Sequence, residues 1–163
     1  MKENELTELI MGLKDKGLTV AFAESCTGGL LASEFVKGKG SSDVLMGSLV
    51  VYQPDAKMNL LGVKKKTLDL YTAESQQVTN EMVMGLRKKL DASIYIATTG
   101  LAGEGGSETK EKPVGTVFVS FLYDGKAEEF RMVFDGDSES IRKKTAEYVF
   151  KKLQGILAEH YNR

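Results

Sequence analysis

The stretch LTVAFAESCTGGLLASEFVKG, residues 18–38, decides the fold. LTVAFA is a short β-branched and aromatic run of the kind that forms a buried strand, and LLASEFVKG has a helical apolar pattern. Between them ESCTGG carries two glycines where a strand must turn sharply into a helix. Strand, glycine turn and helix make half of a parallel βαβ unit.

The pattern continues outward from this unit. Upstream, Leu6, Leu9, Ile10 and Leu13 recur at helical spacing and Gly17 follows, which predicts an amphipathic helix over 4–15. Downstream, VLMGSLVVY (44–52) reads as a buried strand, Pro54 opens a helix carrying Lys57 to Leu61, and Gly62 closes it. Ser75 caps a helix from Gln76 to Leu90, with Val78, Met82, Val83 and Leu86 on one face. SIYIATT (93–99) is a third strand and VGTVFVSFLY (114–123) a fourth. Asp124-Gly125 then turns the chain into EEFRMVF, where Phe130, Met132 and Phe134 share a face, and a last helix spans about 138–159. The expected architecture is α/β: a three-layer α/β/α sandwich with a mixed sheet of about five strands, in one domain over 1–163.

Composition narrows the function. Twenty-two basic and twenty-three acidic residues leave a net charge of −1, which gives no long-range field for nucleic acid. No apolar stretch is long enough to span a membrane. One cysteine and a start, MKENELTELI, without signal-peptide character imply a cytoplasmic setting. The one histidine, His160, lies three residues from the end, where chains fray, so histidine acid–base chemistry and the usual zinc sites are not expected. No cofactor or metal is expected either, because Asp135, Asp137 and Glu139 match no calcium-loop spacing and Asp137 or Ser138 serves as a helix cap.

In open α/β sheets, ligands gather beyond the carboxyl ends of strands. Three unusual segments fall there: ESCTGG, YQPDAK and TTGLAGEGG. Ser25, Thr27 and the amides of Gly28 and Gly29 form a donor-rich turn suited to an anion or an oxyanion, although such glycines also serve simple packing. The glycine-rich loop from Gly100 to Pro113 is long for a compact domain and suits a substrate cradle or lid, with disorder as the alternative. Without a usable histidine, a nucleophilic serine needs another base, and a desolvated lysine is the known substitute. Lys57, in the first turn of a helix beyond a buried strand, is the candidate, and a solvated surface amine is its alternative. Arg142 is a candidate for a neighbouring positive charge and Tyr52 for a proton relay. Cys26 sits at a helix start but has no histidine partner, and inert packing describes it better.

AESCTGG (23–29), GSS (40–42), VVYQPDAKMNLLGV (50–63), TTGLAGEGG with KPVGTV (98–106 and 112–117) and FDGDSESIRKKTA (134–146) together resemble the CinA C-terminal domain family over nearly the whole chain. The resemblance implies nicotinamide-nucleotide amidase activity: hydrolysis of nicotinamide mononucleotide to nicotinate mononucleotide and ammonia, in pyridine nucleotide salvage, with no cofactor. Many relatives carry a further N-terminal domain, and this chain looks like the stand-alone form. Carried over, the resemblance pairs Ser25 as nucleophile with Lys57 as base, holds Ser42 as the reserve nucleophile, and lines the pocket with Tyr52, Thr99 and Arg142. Amides of the glycine turn would form the oxyanion hole. Thr27, Gly28, Gly29, Thr99, Gly100, Gly103 and Arg142 would bind substrate, with Arg142 and the long loop on ribose or phosphate. Two positions depart from the family pattern: Pro54 replaces the usual Asn and Ser138 the usual Arg. The expected partner is a small-molecule nucleotide, not nucleic acid or membrane, and pairing at a sheet edge would give a homo-oligomer. The rival readings are a non-catalytic nucleotide-binding module tied to competence or DNA damage, as the family name suggests, and a phosphate-binding assembly protein.

Overall fold

The computed structural model describes residues 1–161. In chain order the elements are α1 (Glu3–Asp15), β1 (Val20–Glu24), α2 (Leu30–Phe35), a 3₁₀ turn (Ser41–Asp43), β2 (Leu45–Val50), α3 (Pro54–Leu61), α4 (Lys65–Tyr71), α5 (Gln76–Arg87), β3 (Ile94–Gly100), β4 (Thr116–Tyr123), β5 (Lys126–Val133) and α6 (Ser138–His160). The strands form one mixed sheet in the order β2-β1-β3-β4-β5. β2, β1 and β3 run parallel, and β4 and β5 are antiparallel additions.

Alternation along β1 sends Val20 and Phe22 to one face and Ala21 and Ala23 to the other, and each face builds its own core. The larger core gathers α1, α2 and α6 through residues such as Leu13, Phe35, Val149 and Leu153. On the opposite face the side chains are small, Ala21, Ala23 and Ala97, so α5 settles close with Val78, Met82, Val83 and Leu86. Helices therefore cover both sides of the sheet, giving the three layers the alternating pattern implied.

Local signals set the boundaries. Ser75 Oγ accepts the Val78 amide and Asp137 accepts the Ser140 amide, two side-chain N-caps. Gly62 ends α3 with φ +68°, and Asp124 and Gly125 turn the β4–β5 hairpin with φ +48° and +71°. Two features differ from the sequence reading. The segment Lys65–Tyr71 is a helix whose residues are none of them fully buried, so its apolar periodicity was too weak to mark it. His160 closes α6 and packs on Tyr123, with ring centroids 5.3 Å apart, instead of fraying. Tyr123 pairs with Ile94 at the start of β3, so this histidine lies at the end of the sheet opposite the parallel strands' carboxyl ends.

α3 carries Lys57, and it is pressed against α5 at Gly85, where an added Cβ would lie 1.9 Å from the Leu61 carbonyl oxygen. Gly85→Ala must push the two helices apart. We expect a loss of about 1–3 kcal/mol in urea-unfolding stability, the scale of core overpacking.

Candidate active site

Beyond the carboxyl ends of β1 and β3 the surface opens into a cleft of about 690 Å³. Ser25, Cys26 and Gly28 form part of its wall, Val50, Tyr52, Gln53 and Pro54 follow β2, and the loop from Gly100 to Gly106 forms another side. Ser138 and Arg142, one turn apart at the start of α6, complete it with Ala73 and Glu74 from the α4–α5 connection. The three segments singled out in the sequence converge here because parallel strands deliver their carboxyl ends to the same edge.

Lys57 lies beneath the cleft and is only 1% exposed. Its Nζ is 2.9 Å from Ser25 Oγ, 2.9 Å from the Val51 carbonyl oxygen and 3.0 Å from the Tyr52 carbonyl oxygen. Burial pushes its amine below the ordinary lysine value, partly opposed by the charge of Glu74 and by the Cys26 thiol. Arg142 is not the source of this effect, contrary to the sequence reading. Its guanidinium instead donates from Nε and Nη2 to the Thr27 carbonyl oxygen, at 3.2 and 2.9 Å. Cys26 is buried beside the pair, and loss of solvation raises its thiol to about 12, so it stays protonated and is no competing nucleophile.

The glycine turn does not work as the sequence suggested. The buried carboxylate of Glu24, at the end of β1, accepts the amides of Gly29, Leu31 and Ala32, each at 3.0 Å, and the Ser48 hydroxyl at 2.8 Å. The N-terminus of α2 therefore already holds its anion. The Gly28 amide is also committed, to the Ser25 carbonyl at 3.0 Å. Among the described residues, the amides of Cys26 and Thr27, directly after Ser25, donate to no backbone carbonyl.

Other expected contributors lie elsewhere. Ser42 sits in the 3₁₀ turn before β2, at the far end of that strand, and is exposed, so a parallel sheet keeps it away from Lys57. The Tyr52 side chain is 67% exposed at the rim, and its carbonyl, not its hydroxyl, meets the amine. Thr99 faces α5, its hydroxyl 2.7 Å from that of Thr79, and the Thr27 hydroxyl pairs with Thr98 at 3.0 Å, so neither lines the cleft. Gly28, Gly100 and Gly103 line it, but Gly29 does not. Sequence reasoning missed Glu24 and Glu74. The first was visible as an acid at the end of an apolar strand, immediately before the helix start it caps. Pro54 and Ser138, the two departures from the family pattern, both face the cleft.

The CinA C-terminal domain family matches residues 3–157. The chain belongs to this family. A CinA-like protein of Thermotoga neapolitana is 41% identical over 98% of the chain, covering 39% of its own length. A competence-damage inducible protein of Clostridium acetobutylicum is 44% identical over 84% of the chain and 33% of its own length. The chain thus spans only about a third of the length of these relatives. In solved structures, competence damage-inducible protein A from Klebsiella pneumoniae superposes with a TM-score of 0.91 at 33% identity, covering 98% of this chain and 99% of that one. A CinA superfamily protein from Escherichia coli gives 0.87 at 31% identity, covering 96% and 89%. The five-stranded mixed sheet is thus the CinA fold. No helix among the described residues is long and apolar enough to cross a membrane.

Glu24 is the anion on which the α2 terminus depends. Glu24→Ala leaves three amides with no acceptor and should lower stability by about 1–3 kcal/mol or more, read by urea denaturation.

Proposed function

We propose that this CinA domain is an amidohydrolase that converts nicotinamide mononucleotide to nicotinate mononucleotide and ammonia through Ser25 and Lys57. The observation that carries the reading is the set of partners around Lys57 Nζ. A neutral amine has two N–H donors and one lone pair. Two of its three partners are backbone carbonyls, which accept only, so they take the donors. The lone pair is left for the third partner, the Ser25 hydroxyl, the one group of the three with a proton to give. Burial favours this uncharged form.

Lys57 accepts the hydroxyl proton as Ser25 Oγ attacks the carboxamide carbon. The tetrahedral intermediate places negative charge on its oxygen, and the amide of Cys26, on the cleft wall directly after Ser25, is the oxyanion donor of this reading. Lys57 then gives its proton to the departing nitrogen, the C–N bond breaks, and ammonia leaves an ester on Ser25. Water, deprotonated by the neutral amine, attacks that ester and releases the carboxylate and the serine hydroxyl. Arg142, with N–H groups beyond the two held by Thr27, is the cleft's cation for the 5′-phosphate. No step calls for a metal or a cofactor.

Ser25→Ala and Lys57→Ala should each reduce ammonia release by at least about 10²-fold with the fold intact by circular dichroism. Ser42→Ala should leave it unchanged. Nucleotide binding without ammonia release would favour a regulatory module, in keeping with the competence-damage names of the relatives.

The pH dependence follows from the direction of the Lys57 shift. The folded chain binds this proton less tightly than the unfolded chain, so the charged form costs stability as pH falls from the ordinary lysine range to the lowered value, and no further below it. Activity, which needs the neutral form, should fall as pH drops through that same lowered value. Lys57→Met, similar in shape and uncharged, should abolish turnover and remove this pH-dependent contribution to stability, read by thermal denaturation across the alkaline range.

A further inference from the structure

The mechanism above leaves Glu74 unused. It lies between α4 and α5, half-buried, and its carboxylate faces the same cleft as Ser25. Its Oε2 accepts a hydrogen bond of 2.5 Å from Ser107, which fixes it against the long loop. It joins none of the ion pairs among the described residues. The Lys112 ammonium is near enough to feel the Glu74 charge, but its Nζ donates to Thr72 Oγ1 at 2.8 Å, Ser107 Oγ at 2.7 Å and the Glu74 backbone carbonyl at 3.0 Å, so its three donors tie down the loop and make no direct contact with the carboxylate.

The position of this carboxylate works against the catalyst proposed above, because its charge favours the ammonium form of Lys57. An anion that weakens the neighbouring base, and that the nearby Lys112 ammonium attracts without touching, is accounted for if the ligand brings a cation into direct contact. Resting on the amidase reading, we propose that Glu74 is a specificity-determining residue, its carboxylate seating the positively charged part of a cationic amide beside Ser25 and Lys57 while Arg142 takes an anionic part. Glu74 and Arg142 give the cleft one negative and one positive charge, and a nucleotide with a pyridinium ring and a phosphate matches both. Glu104 also lines the cleft, but it is exposed on the loop and exerts no comparable effect on Lys57. A cation seated against Glu74 offsets the carboxylate's field on the amine, so the charged substrate would also favour the uncharged base. Neutral amides of the same shape gain neither effect.

The test compares two ligands of matched shape: nicotinamide mononucleotide, whose ring is cationic, and the benzamide C-nucleotide, whose ring is neutral. Binding is measured by calorimetry to Ser25→Ala protein, so that turnover does not intervene. With Glu74 present, the cationic ligand should bind about tenfold more tightly than the neutral one, the scale of a partly buried charge pair. Glu74→Gln keeps an acceptor for Ser107 and should abolish that preference by weakening the cationic ligand alone. Equal weakening of both ligands would show a structural role only, and a preference that survives the substitution would overturn the assignment. Failure of both ligands to bind would overturn the substrate reading together with this one, whereas binding of both without preference would overturn this one alone.

Discussion

A lysine amine held out of water against a serine hydroxyl is the constraint on which the rest of the site depends. Nothing in the first turn of a short helix keeps an amine out of water. It takes a second element, α5, packed on α3, and a strand end, Val51 and Tyr52, whose carbonyls point at the nitrogen. These fix two of the three directions around the nitrogen and leave the third to Ser25. The sheet order explains why this is possible: β1 and β2 are adjacent and parallel, so Ser25 after one and Lys57 after the other emerge at the same edge.

Glu24 has the complementary task. Had the α2 terminus been left open, the glycine turn would have been a general anion site. Because the chain's own carboxylate fills it, the turn is a rigid support, and the charged groups facing the cleft come from other elements: Arg142 from α6, Glu74 from the α4–α5 connection and Glu104 from the long loop. The site is thus divided into a buried serine–lysine pair and a surrounding set of charges, each supplied by a different part of the chain.

Most of the fold was legible in the sequence, since β1, β2 and β3 are apolar runs bounded by turn residues, and α1 and α5 carry clean helical faces. α4 was not, because a helix without a fully buried residue leaves no stripe to read. The same division holds in the site. Ser25 and Lys57 were recoverable from their places after strands, but the side chains of Thr27, Thr99 and Tyr52 turned elsewhere, since rotamer and facing direction are decided by packing that a local motif does not encode. Ser42 was misplaced for a topological reason: residues before and after a strand lie at opposite ends of the sheet. Glu74 carried no local signal, as its setting in the cleft arises from a loop more than thirty residues downstream folding back upon it.

The central claim is the uncharged state of the Lys57 amine, and a direct titration tests it. Carbon-13 resonances of the lysine ε-carbons followed with pH, with the Lys57 signal assigned by its loss in a lysine-to-methionine variant, report the protonation of that one group. The account predicts that this resonance titrates below the ordinary lysine value of 10.5, apart from the other lysines. A Lys57 signal that titrates with the rest, at or above that value, would contradict it.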